Sequence, residues 1–165
     1  MLHPATNRYA TDFFGNGFAG SNRDIPFMPS TTIDKSRLLQ ERLFEFASQC
    51  ILASRCLAKS PEAWVIRSQL VRSATSVAAN YRAACRALSR RGFVAKLSIA
   101  LEEADEAVYW LHLSVRVGLL TKEVVSPLDR EGDELIRILS ASRKTARNRQ
   151  LASSSNRQTK RSPDR

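Results

Sequence analysis

Apolar residues recur along this chain at the spacing of a helix face. Leu39, Leu43, Phe46, Cys50, Ala53 and Leu57 are separated alternately by four and three residues, which puts them on one side of a long helix that begins near Asp34. Ser60, Pro61 and Glu62 then predict a new start as N-cap, N1 and N2. Proline has no hydrogen bond to lose at N1, and an acid there complements the helix dipole. The second stripe runs Leu70, Ala74, Val77, Tyr81, Ala84 and Leu88, and the polar turn Ser89-Arg90-Arg91-Gly92 is expected to close that helix. Val94, Leu97, Leu101, Ala104, Val108, Leu111 and Val115 make the most regular seam, with Gly118 as its expected C′ residue. Thr121, backed by Glu123, restarts the chain, and Val125, Leu128, Gly132, Leu135 and Leu139 carry a weaker fourth stripe.

Helices of about 25 residues, each roughly 37 Å long at ~1.5 Å per residue and joined by short connections, predict an all-α fold. The expected architecture is an antiparallel up-down-up-down four-helix bundle over residues 33–147, its seven-residue repeats favouring crossings of about 20°. Residues 1–32 contain Pro4, Gly15, Gly17, Gly20, Pro26 and Pro29 without a period and read as a disordered extension; Met28, just before the first stripe, leaves open a translation start there. Residues 148–165, rich in Ser, Asn, Arg and Lys, read as a disordered basic tail. Ala78, Ala79, Ala83 and Ala87 on the second helix, with Ile99, Ala100 and Trp110 on the third, extend the apolar surface beyond the core stripes. That is the pattern of a second buried face, and hence of self-association.

Composition agrees with one helical domain. The 165 residues are 43% apolar, enough for a real core, while 6 Gly and 6 Pro are too few to punctuate a many-stranded sandwich or barrel. The net charge of +10 is uneven: zero over residues 1–32, +3 over 33–142 and +7 over 143–165, so the high pI belongs largely to the expected tail. Cys50, Cys56 and Cys85 lack CxxC spacing and have no histidine close in sequence, and they read as buried reduced thiols. No signal-peptide pattern or membrane-length apolar run occurs, which places the protein in the cytoplasm without membrane association.

Several motifs go beyond periodicity: QLVRSATSVAANYR from Gln69, the Ser89-x-x-x-Phe93 turn, AKLSIAL from Ala95 and EADEAVYWL from Glu103, with RLFEFA at Arg42 to Ala47. In order and spacing they closely resemble the bacterial four-helix-bundle family named for proteins encoded in intervening sequences of 23S rRNA genes, over most of residues 37–140. The resemblance implies a cytoplasmic bundle that assembles as a homopentameric ring and has no established enzymatic activity. Related accessory proteins of diversity-generating retroelements look similar in fold and bind nucleic acid and a reverse transcriptase through a basic surface. The implied partners are therefore further copies of the chain, RNA or DNA, and a reverse transcriptase or other protein. Ala83 stands where the family commonly has glutamate and Glu102 where it commonly has lysine, so each swap bears on an ion pair between helices or subunits.

The candidate nucleic-acid-binding residues are Arg67, Arg72, Arg82, Arg86, Arg90, Arg91 and Lys96, which fall between residues 64 and 98 with no acid among them. Arg82, Arg86 and Arg90 are four apart on one face. Repeated around a ring they would form a basic belt able to neutralise several phosphates. The competing reading pairs them with Glu102, Glu103, Asp105 and Glu106, within or between subunits. A di-metal bundle site would need Glu-x-x-His motifs, and none occurs; only His112 lies in the bundle. With histidine so scarce, Ser73, Thr75 and Ser76 are expected to back-bond within their helix rather than act as nucleophiles. No catalytic residue, cofactor or metal site is expected. Asn80, beside Tyr81 in an apolar stretch, suits a register-fixing or subunit-contact hydrogen bond. Asn80, Tyr81, Glu103, Glu106 and Trp110 are the expected subunit-interface residues. Trp64 and Trp110 are expected to pack rather than stack on bases, because the sequence has no repeated aromatic platform. The chain thus reads as a non-enzymatic bundle binding RNA or DNA through a basic surface, or alternatively as a protein-interaction scaffold whose charges serve assembly.

Overall fold

A computed structural model of the chain describes residues 32–159, which form four helices: α1 (Thr32–Arg55), α2 (Pro61–Cys85), α3 (Arg90–Arg116) and α4 (Lys122–Thr159). The connections, residues 56–60, 86–89 and 117–121, are too short for anything but reversal, so consecutive helices run antiparallel. α3 packs between α2 and α4, α1 packs on α2, and a lighter α1–α4 contact closes the four-helix bundle. The expected N-terminal extension, apart from Thr32, lies outside the described residues. Among the described residues no helix is long and apolar enough to cross a membrane.

The expected start and stop signals are built as the sequence predicts. Extended Ser60 (φ −133°, ψ 159°) accepts the Ala63 N–H at 3.3 Å, and Pro61 follows at N1. Gly118 takes φ 73°; its N–H donates to Val115 at 3.0 Å, and the Leu119 N–H donates to Ser114 at 2.8 Å. These two bonds are the Schellman closure, which satisfies carbonyls that α3 would otherwise leave unpaired.

All six residues of the first stripe are buried, Leu57 from the turn just after α1, as is the fourth stripe, Val125, Leu128, Gly132, Leu135 and Leu139. Gly132 permits a close approach. A Cβ built there would lie 2.5 Å from Cγ2 of Val108 on α3 and 3.5 Å from the Phe46 ring on α1. The α3 stripe needs correcting, because Val94, Leu101 and Val115 are only half-buried, and the deepest line is Leu97, Ala100, Ala104, Ala107, Leu111 and Ser114. α3 is flanked by both α2 and α4, so its buried arc is wider than one seam, and small residues along its centre let both neighbours come close.

Other boundaries differ from expectation. Leu88 is not a core residue: α2 ends at Cys85, and Leu88 sits fully exposed in the turn. Ser89 does not close α2 but caps α3, accepting the Gly92 N–H at 3.0 Å. α4 continues past Arg147 to Thr159, because no Gly or Pro lies between Gly132 and Pro163, and a helix nucleated by packing propagates until something stops it. Of the three free cysteines only Cys50 is buried, which pushes its thiol up to about 12; Cys56 is half-buried after α1, and Cys85 is exposed at the end of α2. Trp64, expected to pack, is 67% exposed on the first turn of α2.

Candidate nucleic-acid interface

The cations expected on α2 and α3 divide into two groups. Arg67 and Arg72 bond within the protomer. Arg67 donates from Nε to the Ser54 carbonyl at 3.0 Å and from Nη2 to the Leu57 carbonyl at 2.7 Å, placing a cation at the negative end of the α1 dipole and tying α2 to the turn that follows α1. Arg72 reaches across to α3, where Nη1 donates to both oxygens of Glu103 at 3.1 Å and Nη2 donates to Glu106. Trp110 Nε1 donates to the same Glu106 carboxylate at 3.0 Å. These two donors, Arg72 first, hold the Glu106 carboxyl below its ordinary range. The pairing reading therefore holds for Arg72.

This cluster changes the picture for the residues assigned to subunit contact. Glu103, Glu106 and Trp110 find their partners on the same chain, because antiparallel packing sets Arg72 level with the acids of α3. Tyr81 is 6% exposed within the bundle's own core. Asn80 donates to the Ser76 carbonyl and to its hydroxyl, both at 3.0 Å, within α2. Ser73 and Thr75 back-bond to Gln69 and Val71, as such residues do in mid-helix.

The second group faces solvent. Arg82, Arg86, Arg91 and Lys96 are exposed and make no ion pair among the described residues. Arg90 donates from Nη1 to the backbone carbonyl of Arg149 at 3.0 Å, tying the first turn of α3 to the late turns of α4. Around that tie Arg143 and Arg147 join Arg91, Val94, Ala95, Ser98 and Leu151 in lining a groove of about 370 Å³. A neighbouring depression of about 350 Å³ is lined by Ala87, Leu88, Ser89, Arg90, Phe93, Ala146 and Arg149. One basic pole thus unites Arg90 and Arg91 of α3 with Arg143, Arg147 and Arg149 of α4, the last of which falls in the stretch expected as a separate tail.

No acid occurs between Trp64 and Ser98 or between Leu135 and Pro163, the two stretches that supply these cations. Acids gather further along the bundle, where they bind helices together. Arg42 on α1 holds Glu131 on α4 with two 3.0 Å bonds, and His112 on α3 meets Asp129 on α4 at 2.6 Å. Among the described residues no group of three His, Cys, Asp or Glu side chains is placed to hold a metal ion. Arg143, Arg147 and Arg149 were missing from the sequence-derived site. Their signal was present in the four-residue spacing of Arg143 and Arg147 and in the unbroken run from Leu135 that lacks acid, Gly and Pro.

The sequence model of the family described as 23S rRNA-intervening sequence protein matches residues 37–141. The chain belongs to that family. A structural relative is a protein of unknown function from the S23 ribosomal protein family of Bacteroides thetaiotaomicron VPI-5482, solved by crystallography at 1.70 Å. It is 34% identical, with a TM-score of 0.62 over 67% of this chain and 98% of that one. No curated protein matches. Arg143, Arg147 and Arg149 lie beyond the residues matched to the intervening-sequence family, so this chain carries part of its basic pole outside the family's common core.

Proposed function

We propose that the protein is a non-catalytic cytoplasmic bundle that binds RNA or DNA through its basic pole and assembles as a homo-oligomer, a pentameric ring in the form its family resemblance implies. The observation that carries this reading is the convergence of Arg90 and Arg91 on α3 with Arg143, Arg147 and Arg149 on α4, with Arg82, Arg86 and Lys96 exposed in the same acid-free stretch of chain as Arg90. Exposed guanidinium groups lose little solvation on meeting phosphate, and each phosphate neutralised releases counterions, so binding is driven by salt-sensitive electrostatics. Ile99, Val65 and Tyr109, apolar and exposed on α2 and α3, support assembly with further copies, and a reverse transcriptase or another protein is a partner of the same class.

The test is anisotropy of a labelled RNA over a salt series, for the wild type and for Arg82, Arg86 and Arg90 changed together to glutamate, with sedimentation to confirm an unchanged oligomer. The expected result is a steep negative salt slope that collapses in the variant. The alternative, an assembly scaffold, draws on Arg67 and Arg72, whose charges serve the protomer's own helices. Equal binding by wild type and variant, or none by either, would favour it.

A further inference from the structure

We infer that the groove between α3 and α4 is a backbone cradle for double-stranded nucleic acid, supplied in part by the stretch of α4 that lies beyond the family match. This deepens the nucleic-acid reading and rests on it. The cradle has cationic walls, Arg91 from the first turn of α3 and Arg143 and Arg147 from α4, and a floor of Val94, Ala95 and Leu151. Sugars can lie against the apolar floor while phosphates meet the walls. Arg143 and Arg147 stand one helical turn apart, about 6 Å at ~1.5 Å per residue, a separation comparable to that of neighbouring phosphates along a strand.

What this surface lacks decides between duplex and single strand. Single-strand binders gain affinity by stacking bases on exposed aromatic rings. Phe93, the aromatic of this pole, packs against the core. Among the described residues the exposed rings lie elsewhere: Trp64 on the first turn of α2, Tyr109 in the distal half of α3 and Phe44 on α1. The Ser98 hydroxyl is committed to the Val94 carbonyl at 3.0 Å. Among the described residues the groove therefore offers a strand's bases no aromatic platform. A duplex has its bases already paired and stacked and presents phosphates at higher charge density, so each contact releases more counterion, with a salt slope of about 0.9 per phosphate against about 0.7 for a single strand. The arginines sit on helices, a fixed array that suits a stiff polyanion, and recognition is independent of sequence.

The experiment titrates the full chain against a mixed-sequence duplex of about 20 base pairs, as RNA and as DNA, and against each component strand, from about 50 to 200 mM salt. Either duplex is expected to bind about tenfold more tightly than its strands and with a steeper slope. Arg143→Gln with Arg147→Gln should cost duplex affinity about tenfold and flatten the slope by about 2, and Arg147→Gln alone, an exposed change, by about 1. Arg116→Gln with Lys122→Gln, the same charge change at the opposite end of the bundle, should leave duplex binding as it was. Strands bound as tightly as duplex would overturn the cradle, as would duplex affinity kept by the Arg143/Arg147 variant; either leaves the nucleic-acid reading standing. No binding of any nucleic acid by the wild type overturns both.

Discussion

The guanidinium of Arg90 and the backbone carbonyl of Arg149 meet at 3.0 Å, so the first turn of α3 and the late turns of α4 are held together although both carry positive charge. A carbonyl acceptor is what makes this contact attractive, since each arginine side chain alone would repel the other. Arg90→Ala should leave the melting temperature nearly unchanged and weaken α4 locally. An exposed hydrogen bond worth about 0.5 kcal/mol would roughly double the amide exchange rate near Arg149. Hydrogen exchange with peptide resolution reads this directly, and unchanged protection there would show that the tie contributes nothing.

Gly132 sets the depth to which α4 sinks toward α3. A methyl group there would meet Val108 Cγ2 at 2.5 Å, and valine in a helix is nearly locked at χ1, so it cannot swing aside cheaply. Gly132→Ala is expected to destabilise the bundle by about 1–2 kcal/mol in urea, the overpacking cost exceeding the ~1 kcal/mol that alanine gains in helix propensity. Adding Val108→Ala should give a double variant less destabilised than the sum of the singles. Strict additivity would sink the steric account.

Glu106 accepts from both Arg72 and Trp110, and its carboxyl is held below the ordinary range by those donors in that order. With the folded value lowered, its stabilising contribution is fully present above the ordinary carboxylate range and is lost as pH falls through the lowered value. Glu106→Gln should therefore reduce the melting temperature near neutral pH and much less in acid. With Trp64 replaced by Phe, the emission of Trp110 should change through the same acid transition in the parent protein and not in the Glu106→Gln variant.

Thiol chemistry should follow burial. Cys50 is enclosed, with its thiol pushed up to about 12, whereas Cys85 is exposed. A thiol reagent at mildly alkaline pH should label Cys85 in the native protein and Cys50 only on unfolding. Labelling of Cys50 as fast as Cys85 in native protein would contradict the packing of α1.

Much of the fold was legible because its causes are local. The four–three alternation of Leu39 to Leu57 buries one face wherever the helix sits, and Ser60-Pro61 and Gly118 start and stop helices through their own backbone preferences. Reading failed where the answer depended on neighbours. The regular Val94–Val115 seam predicted the wrong centre for α3, because the buried arc of a helix flanked by two others is set by both of them. Trp64 looks like a packing residue, yet among the described residues it is left largely exposed.

For the candidate site the division is similar. The amino-acid sequence by itself determined that acids are absent from residues 64–98 and from 135–163, that four amphipathic helices follow one another, and that short turns reverse each one. Only the tertiary structure decided which cations stay free. It folded Arg67 onto the end of α1, spent Arg72 on Glu103 and Glu106, and brought Arg143, Arg147 and Arg149 beside Arg90 and Arg91. Charge content is a property of the chain, but ion pairs and hydrogen bonds act over a few ångströms, and residues as far apart as Arg72 and Glu103 or Arg90 and Arg149 reach that distance only when antiparallel packing sets α3 against α2 and α4.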